Sequence, residues 1–244
     1  MQVRLIDITP DIEEKIVFMA RVSNPKGQEA TGTSERLIRY LIKHKHWSPF
    51  EMGHMTVEIE TTKDIAIQVL RHRSFSFQEF SQRYADVSLL PILELPELRY
   101  QDHKNRQASI QDEDGDLRLL FESQMRDLFL RSRNLYGAML EAGVAKECAR
   151  KVLPIGTTTR LYMSGSIRSW VHYLQVRTGP ETQKEHRDLA QAIALELAAH
   201  CPNIYDAIFA TEVPCPRKPS TPSPNEKTTL SRFVSWIRRT YVGG

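Results

Sequence analysis

The stretch Arg71-His72-Arg73-Ser74-Phe75-Ser76-Phe77-Gln78-Glu79-Phe80-Ser81-Gln82-Arg83-Tyr84 places three arginines, a histidine, a glutamate and several hydroxyls among aromatic rings. A packed core has no use for so many donors. Anionic ligands do, because the planar guanidinium offers a phosphate two parallel charge-assisted hydrogen bonds. If the segment continues a helix through Arg71, each residue turns by about 100°. Arg71 and Arg73 then point nearly opposite ways, which suits two ligands, or one ligand here and one spanning a neighbouring subunit. Ser81 and Arg83, two apart, share a side if the chain is extended there, as a cup for a nucleotide monophosphate. Glu79 is out of place in a pure phosphate site. It either orients an arginine or accepts from a base, sugar or flavin N–H. The competing reading is a surface network of Arg–Glu ion pairs.

The bulk composition limits what such a cluster can serve. With 41% hydrophobic and 26% charged residues over 244 positions, the chain is an ordinary globular protein, and no apolar run reaches membrane-spanning length. Met1-Gln2-Val3-Arg4 leads into no signal-peptide core, so a cytoplasmic setting is expected. The net charge of +3 is uneven: from Val213 onward six basic residues face one acid, leaving the remainder at −2. The cluster at 71–83 is therefore a local device, which weakens a nucleic-acid reading of the whole chain.

Metal chemistry finds little footing. Cys148, Cys201 and Cys215 are widely spaced, and each reads as a small buried hydrophobe. Asp112, Asp114 and Asp116 mimic the start of a calcium loop, but Leu117 stands where the sharp turn needs glycine and Ser123 where the bidentate glutamate belongs. His44 and His46 form an H-x-H without further ligands in reach.

The elements that must position the cluster can be read from periodicity. Val3–Ile8 is an opening strand and Asp11–Arg21 an amphipathic helix. Ser34 caps a helix with Leu37, Ile38, Leu41 and Ile42 on one face. Met55, Val57 and Ile59 alternate with polar residues as in a half-buried strand, and Asp64 caps a helix running into Arg71. Residues 97–116 read as a solvated loop. Helices follow over Leu117–Ala142 and Ala145–Val152, then a strand at Thr159–Ser164. A Ser166-capped helix runs towards Gly179-Pro180, and a last body helix spans Gln183–His200. Strands and helices do not alternate regularly, so the expected class is α+β, with a mixed or antiparallel sheet flanked by helices. A single domain over 1–212 is followed by a proline-rich linker at 213–228 and a basic amphipathic tail helix at 229–244. That helix would dock on the body or on another subunit, with a membrane or nucleic-acid contact as the alternative.

Arg71-His72-Arg73, seven residues, then Ser81 is the defining motif of the flavin-dependent thymidylate synthases, which this chain resembles. Further segments are similar and in family order: Ala20-Arg21-Val22-Ser23, His46-Trp47-Ser48-Pro49-Phe50-Glu51, Glu147-Cys148-Ala149-Arg150 with Leu153-Pro154, and Arg168 through Arg177. The match covers roughly residues 15–205. The resemblance implies conversion of dUMP to dTMP with methylenetetrahydrofolate as carbon donor and NADPH as reductant through FAD, in a homotetramer with sites shared between subunits.

Carried over residue by residue, the resemblance implies that dUMP meets Gln68, Arg71, Glu79, Phe80, Ser81, Gln82, Arg83, Arg150 and Arg177. FAD would meet Ser23, Ser48, Glu51, Arg71, His72, Arg73, Glu79, Ser166, Arg168 and His172, with His46 a further candidate on the flavin or folate side. No metal is implied. Arg177 matches the arginine that activates the uracil. A guanidinium near N3 and O2 favours the N3-deprotonated base, whose C5 then attacks without a covalent enzyme adduct. No cysteine falls at a family site position. With no G-x-G-x-x-G after a strand, FAD must be held by side chains rather than a Rossmann loop. Ser166 and His172 stand where many members carry Asn, and Met52 and Glu181 where many carry His. The rival reactions are methylation of another uracil-containing acceptor and a flavin oxidase.

Overall fold

The computed structural model describes residues 1–28, 34–90 and 95–209. The expected linker at 213–228, the tail helix at 229–244 and Cys215 lie outside the described residues.

The alternation at Met55, Val57, Ile59 and Thr61 builds the long central strand β2 (His54–Thr62), with these side chains buried and the residues between them facing away. It lies between β1 (Gln2–Ile8) and β6 (Thr158–Ser166), and β6 also pairs with the short β3 (Ser76–Glu79). The order is β1-β2-β6-β3 and every pairing is antiparallel. Val57 faces Met163 and Ile59 faces Leu161. A one-residue slip would turn this entire apolar set to the other face, so burial enforces the register.

Helices cover the apolar face. In the first half these are α1 (Ile12–Ala20), the one-turn α2 (Pro25–Gln28), α3 (Ser34–Lys43) and α4 (Lys63–Val69). The second half supplies α7 (Ile167–Arg177), α8 (Lys184–His200) and α9 (Pro202–Phe209), while α5 (Asp116–Glu141) packs against the single turn α6 (Lys146–Ala149) and the turn that follows it. Ile16, Ile38, Phe50, Ile65, Trp170, Tyr173 and Leu174 close over the sheet, and the Trp170 indole N–H donates to the Met55 carbonyl at 2.9 Å. The α+β class with an antiparallel sheet is therefore as expected.

Several expectations need correction. Residues 97–116 are not simply a loop: Arg99–Gln101 (β4) and Ser109–Gln111 (β5) pair as an antiparallel hairpin. Asp112 there accepts from the Leu117 backbone N–H at 2.8 Å, tying down the start of α5. Asp64 is not a cap, because α4 begins at Lys63 with Thr62 in the cap position. Ser34 likewise lies within α3. The body does not end at His200: α9 follows, its first turn held by Glu13, which accepts from the Ile204 N–H at 2.8 Å and the Asn203 amide at 2.6 Å. Cys201 is buried, but Cys148 is exposed rather than a core residue. Among the described residues no helix is long and apolar enough to cross a membrane.

Candidate active site

The helix preceding the arginine-rich stretch stops at Val69, so Arg71 and Arg73 do not sit on a continuous helix. The chain leaves through successive turns, with the N–H of Arg71 bonded to the Gln68 carbonyl and that of His72 to the Val69 carbonyl. The argument that helical rotation makes the two arginines diverge therefore lapses. What fixes the segment is Phe75, buried beyond the turns and edge-on to Trp170 with ring centroids 4.6 Å apart. The backbone of β6 comes close enough to receive that ring only because residue 165 is glycine: a Cβ there would stand 2.5 Å from Phe75 Cδ1. Ser169 Oγ adds a hydrogen bond to the Ser74 carbonyl at 3.1 Å. Through these contacts α7 holds the segment that carries the motif.

Across this junction Arg177 Nε donates to His72 Nε2 at 2.9 Å. Since Nε2 accepts, the His72 proton resides on Nδ1. Burial, then the Arg177 charge, then His172 push the His72 pKa down to about 4, so the ring is neutral near pH 7. The edge of the His72 ring meets Tyr173 at a centroid distance of 4.9 Å.

Behind Tyr173 lies a polar chain. Its hydroxyl bonds His186 Nε2 at 3.1 Å, His186 Nδ1 bonds Gln68 Oε1 at 3.2 Å, and Gln68 Nε2 donates to Gln183 Oε1 at 2.7 Å. Gln183 Nε2 donates to Glu185 at 3.0 Å, and Glu185 also receives Arg99 at 2.6 Å. His186 is fully buried; burial first, then Arg177 and His72, push its pKa down to about 4. Desolvation drives the Tyr173 hydroxyl pKa upward.

A second group gathers at the start of α7. Ser48–Glu51 form a 3-10 turn, and Glu51 accepts from Ser166 Oγ and Arg168 Nη1, both at 2.6 Å. The Ser166 bond, then the Arg168 bond, hold the Glu51 carboxyl below its ordinary range. Four of the expected flavin residues (Ser48, Glu51, Ser166 and Arg168) are thus brought together. Ser166 is itself buried, so its hydroxyl serves Glu51 as well as the helix cap. His172 lies exposed one turn along α7 from Arg168. His46 is exposed and packs with Tyr40, centroids 5.8 Å apart, while Ser23 stands exposed after α1 on an element apart from this group.

The residues after β3 are arranged differently from the extended cup expected of them. Ser81 opens a turn, its carbonyl accepting from the N–H groups of Tyr84 and Ala85. Phe80 prolongs the strand pairing by donating to the Arg160 carbonyl at 2.8 Å, and Gln82 is half-buried in the turn. Arg83 pairs with Glu147 at 3.2 Å, both largely exposed. Among the described residues Glu79 orients no arginine; Lys63 Nζ reaches it at 2.6 Å and Thr159 Oγ1 at 3.0 Å. Arg160 makes the ordinary salt bridge expected for a strand position, with Glu60.

Lys63, Tyr173, Gln183, Glu185 and His186 escaped the sequence reading. His186 alone left a trace: it falls in helical register with the buried Leu189, Ile193 and Leu197, where an unpartnered imidazole would be costly. The cavity of about 230 Å³ between the 86–90 segment and α5 is lined by Leu90, Phe129, Leu130, Tyr136 and Leu153, and by none of the expected ligand residues.

Arg71, Arg73, Arg150 and Arg177 have no carboxylate partner among the described residues. An α+β body with guanidinium groups in this state can receive small anionic ligands. Comparison with known proteins narrows the class. The family model described as "Thymidylate synthase complementing protein" matches residues 4–203. A probable flavin-dependent thymidylate synthase of Paramecium bursaria Chlorella virus 1 is 46% identical over 215 residues, covering 85% of this chain and 99% of that protein. A flavin-dependent thymidylate synthase of Synechocystis is 45% identical over 218 residues, with the same coverage. The crystal structure of the UMP/dUMP methylase PolB from Streptomyces cacaoi bound with 5-Br dUMP superposes with a TM-score of 0.75 at 28% identity, covering 86% of this chain and 94% of that one. The chain belongs to the flavin-dependent thymidylate synthase family.

Proposed function

We propose that the protein methylates dUMP to dTMP, taking the methylene group from methylenetetrahydrofolate and reducing equivalents from NADPH by way of FAD. The observation that carries this reading is Arg177, bonded through Nε to a histidine held neutral and, like Arg71, Arg73 and Arg150, without a carboxylate partner among the described residues. Such groups favour phosphate and an electron-rich base.

In this reading Arg71, Arg83 and Arg150 receive the nucleotide, with Gln68, Glu79, Phe80, Ser81 and Gln82 around it. Arg177 faces the uracil. Its Nε is engaged by His72, so its two terminal nitrogens remain to meet the ring. They stabilise negative charge at N3 and O2 and raise the nucleophilicity of C5. Because His72 is neutral, it fixes the guanidinium without competing for that negative charge.

The residues present suit FAD. Arg71, Arg73 and Arg168 match a pyrophosphate; Ser23, Ser48, His46, His72, His172, Glu51 and Glu79 offer further polar contacts, with Ser166 acting on Glu51. When bound, the flavin supplies the hydride that completes the methyl group. We further propose a homotetramer with sites shared between subunits. In support, α5 has only Tyr136 buried over 26 residues and leaves Leu119 and Leu130 exposed on one side and Leu128 and Leu135 on the other, apolar side chains that suit neighbouring chains. A cytoplasmic setting belongs to the same proposal.

PolB, named as a UMP/dUMP methylase, favours one second reading: that the ribonucleotide is also accepted. Purified protein should be yellow and release tritium from [5-³H]dUMP only with methylenetetrahydrofolate and NADPH present. Equal turnover of UMP would replace the proposal with the second reading. A protein that takes up no flavin and turns over neither nucleotide would end both.

A further inference from the structure

Glu185 can only accept hydrogen bonds, and that single constraint sets the polarity of every group leading to Tyr173. Gln183 must turn its amide nitrogen to Glu185, so its oxygen faces Gln68. Gln68 must then donate to Gln183 and offer its own oxygen to His186. His186 in turn donates from Nδ1, leaving Nε2 to accept the Tyr173 hydroxyl proton. No alternative orientation of either amide satisfies all of these bonds. The Gln68 carboxamide is therefore pinned at both ends, with one N–H left over on the half-buried side of α4, three positions before the arginine motif starts.

We propose that His186 is a positioning residue for the substrate: through its Nδ1 bond it locks Gln68 in the orientation that presents this remaining N–H to an acceptor on a pyrimidine nucleotide. This rests on the reading that the protein binds dUMP. A free glutamine side chain costs binding energy when a ligand immobilises it. Here that ordering is completed during folding, by a residue with no exposed surface. The same chain joins the two nucleotide-side groups, since Tyr173 lies between His186 and the His72 ring that holds Arg177.

The test is steady-state dUMP turnover by the full-length, FAD-loaded protein. His186→Leu keeps the apolar volume but removes both bonds, and should raise KM for dUMP about tenfold while kcat falls by less than about threefold. His186→Asn retains a donor where Nδ1 stood and should restore KM to within about twofold of wild type. Gln68→Ala should match His186→Leu, and adding His186→Leu to Gln68→Ala should change KM by less than about twofold, because the histidine then has nothing to orient. Gln183→Ala, at an exposed position that burdens folding little, should move KM in the same direction and keeps the question decidable if His186→Leu does not fold. Multiplying effects of His186→Leu and Gln68→Ala, an His186→Asn variant no better than His186→Leu, or unchanged KM in Gln183→Ala would each overturn the proposal. A wild-type protein that does not bind dUMP overturns it together with the function on which it rests, whereas those variant results overturn it alone.

Discussion

Arg177 Nε and His72 Nε2 are 2.9 Å apart, so the arginine expected to face the uracil is anchored by the central residue of the Arg-His-Arg motif, 105 positions earlier in the chain. The bond joins the last turn of α7 to the turn after α4. The motif's histidine therefore sets the direction in which the Arg177 guanidinium can act. Arg177→Ala should leave folding and flavin uptake intact and lower the rate of tritium release from dUMP by about 10²–10³-fold, the usual scale for one charge-stabilising donor. Arg177→Lys should not restore it, since an ammonium on a flexible stem cannot bond His72 and keep a planar fork for the base. Wild-type turnover in either variant would remove Arg177 from the chemistry.

Acid stability should report the half-buried His72 and the buried His186. Each is pushed down to about 4 in the folded protein, whereas the unfolded chain titrates near the ordinary 6.5. Between those values the unfolded state binds more protons, so stability is complete above pH 6.5 and drains away as the pH falls towards 4. The expected loss is on the order of 1–3 kcal/mol for the fully buried His186. Glu51 and Glu185, whose carboxyls are held below their ordinary range, contribute losses only below about pH 4.5. Glu13 works in the opposite sense: burial raises its pKa, so its contribution favours the folded state at lower pH. Urea unfolding at pH 7.5, 6.0 and 5.0 should show a fall that is shallower in His186→Leu; identical slopes would mean that His186 does not carry it.

The fold, and the segments that carry the candidate site, could be read from the sequence because their signals are local. Alternation at 55–59, helical spacing at 37–42 and the Ser166 cap each depend on near neighbours, and each element formed. What could not be read depends on distant partners. Lys63 meets Glu79 only because β3 and the start of α4 converge, and Tyr173, His186 and Gln68 come from three helices. The turn after Val69 was also hidden, since nothing between Gln68 and Arg73 breaks a helix by composition; it is Phe75, drawn into the pocket beside Gly165, that pulls the chain away. The hairpin at 99–111 escaped because its strands are short and polar.

Flavin affinity should separate from stability at the start of α7. The Arg168–Glu51 pair is about half exposed, with side-chain accessibilities of 51% and 38%, so its loss should change folding stability by less than about 1 kcal/mol. Arg168→Ala removes a charge that suits a pyrophosphate, and should weaken FAD binding by about 10–100-fold, or roughly 1.4–2.8 kcal/mol. Glu51→Gln should also weaken it, because Ser166 and Arg168 both lose their charged acceptor. Flavin fluorescence quenching measures the affinity, and urea unfolding without flavin measures the stability. An Arg168→Ala variant that binds FAD as tightly as wild type would take Arg168 out of the flavin site.

The motif's position depends on one missing methyl group. A side chain at Gly165 would meet the Phe75 ring at 2.5 and 2.8 Å. The ring cannot swing clear, because Trp170, Tyr173 and Phe77 surround it at centroid distances of 4.6, 5.9 and 6.3 Å. Gly165→Ala should therefore cost about 1–3 kcal/mol through overpacking. The displacement would travel along the turns from Phe75 to His72, loosening the His72–Arg177 bond, so kcat should fall even in protein that remains folded. Phe75→Leu in the Gly165→Ala background makes room for the methyl group and should recover stability more fully than activity, since the smaller side chain relieves the clash without restoring the ring contacts that hold the segment. Unfolding midpoints and dUMP turnover, measured on the single and double variants, decide this. A Gly165→Ala protein with wild-type values for both would show that the close approach to Phe75 does not position the motif.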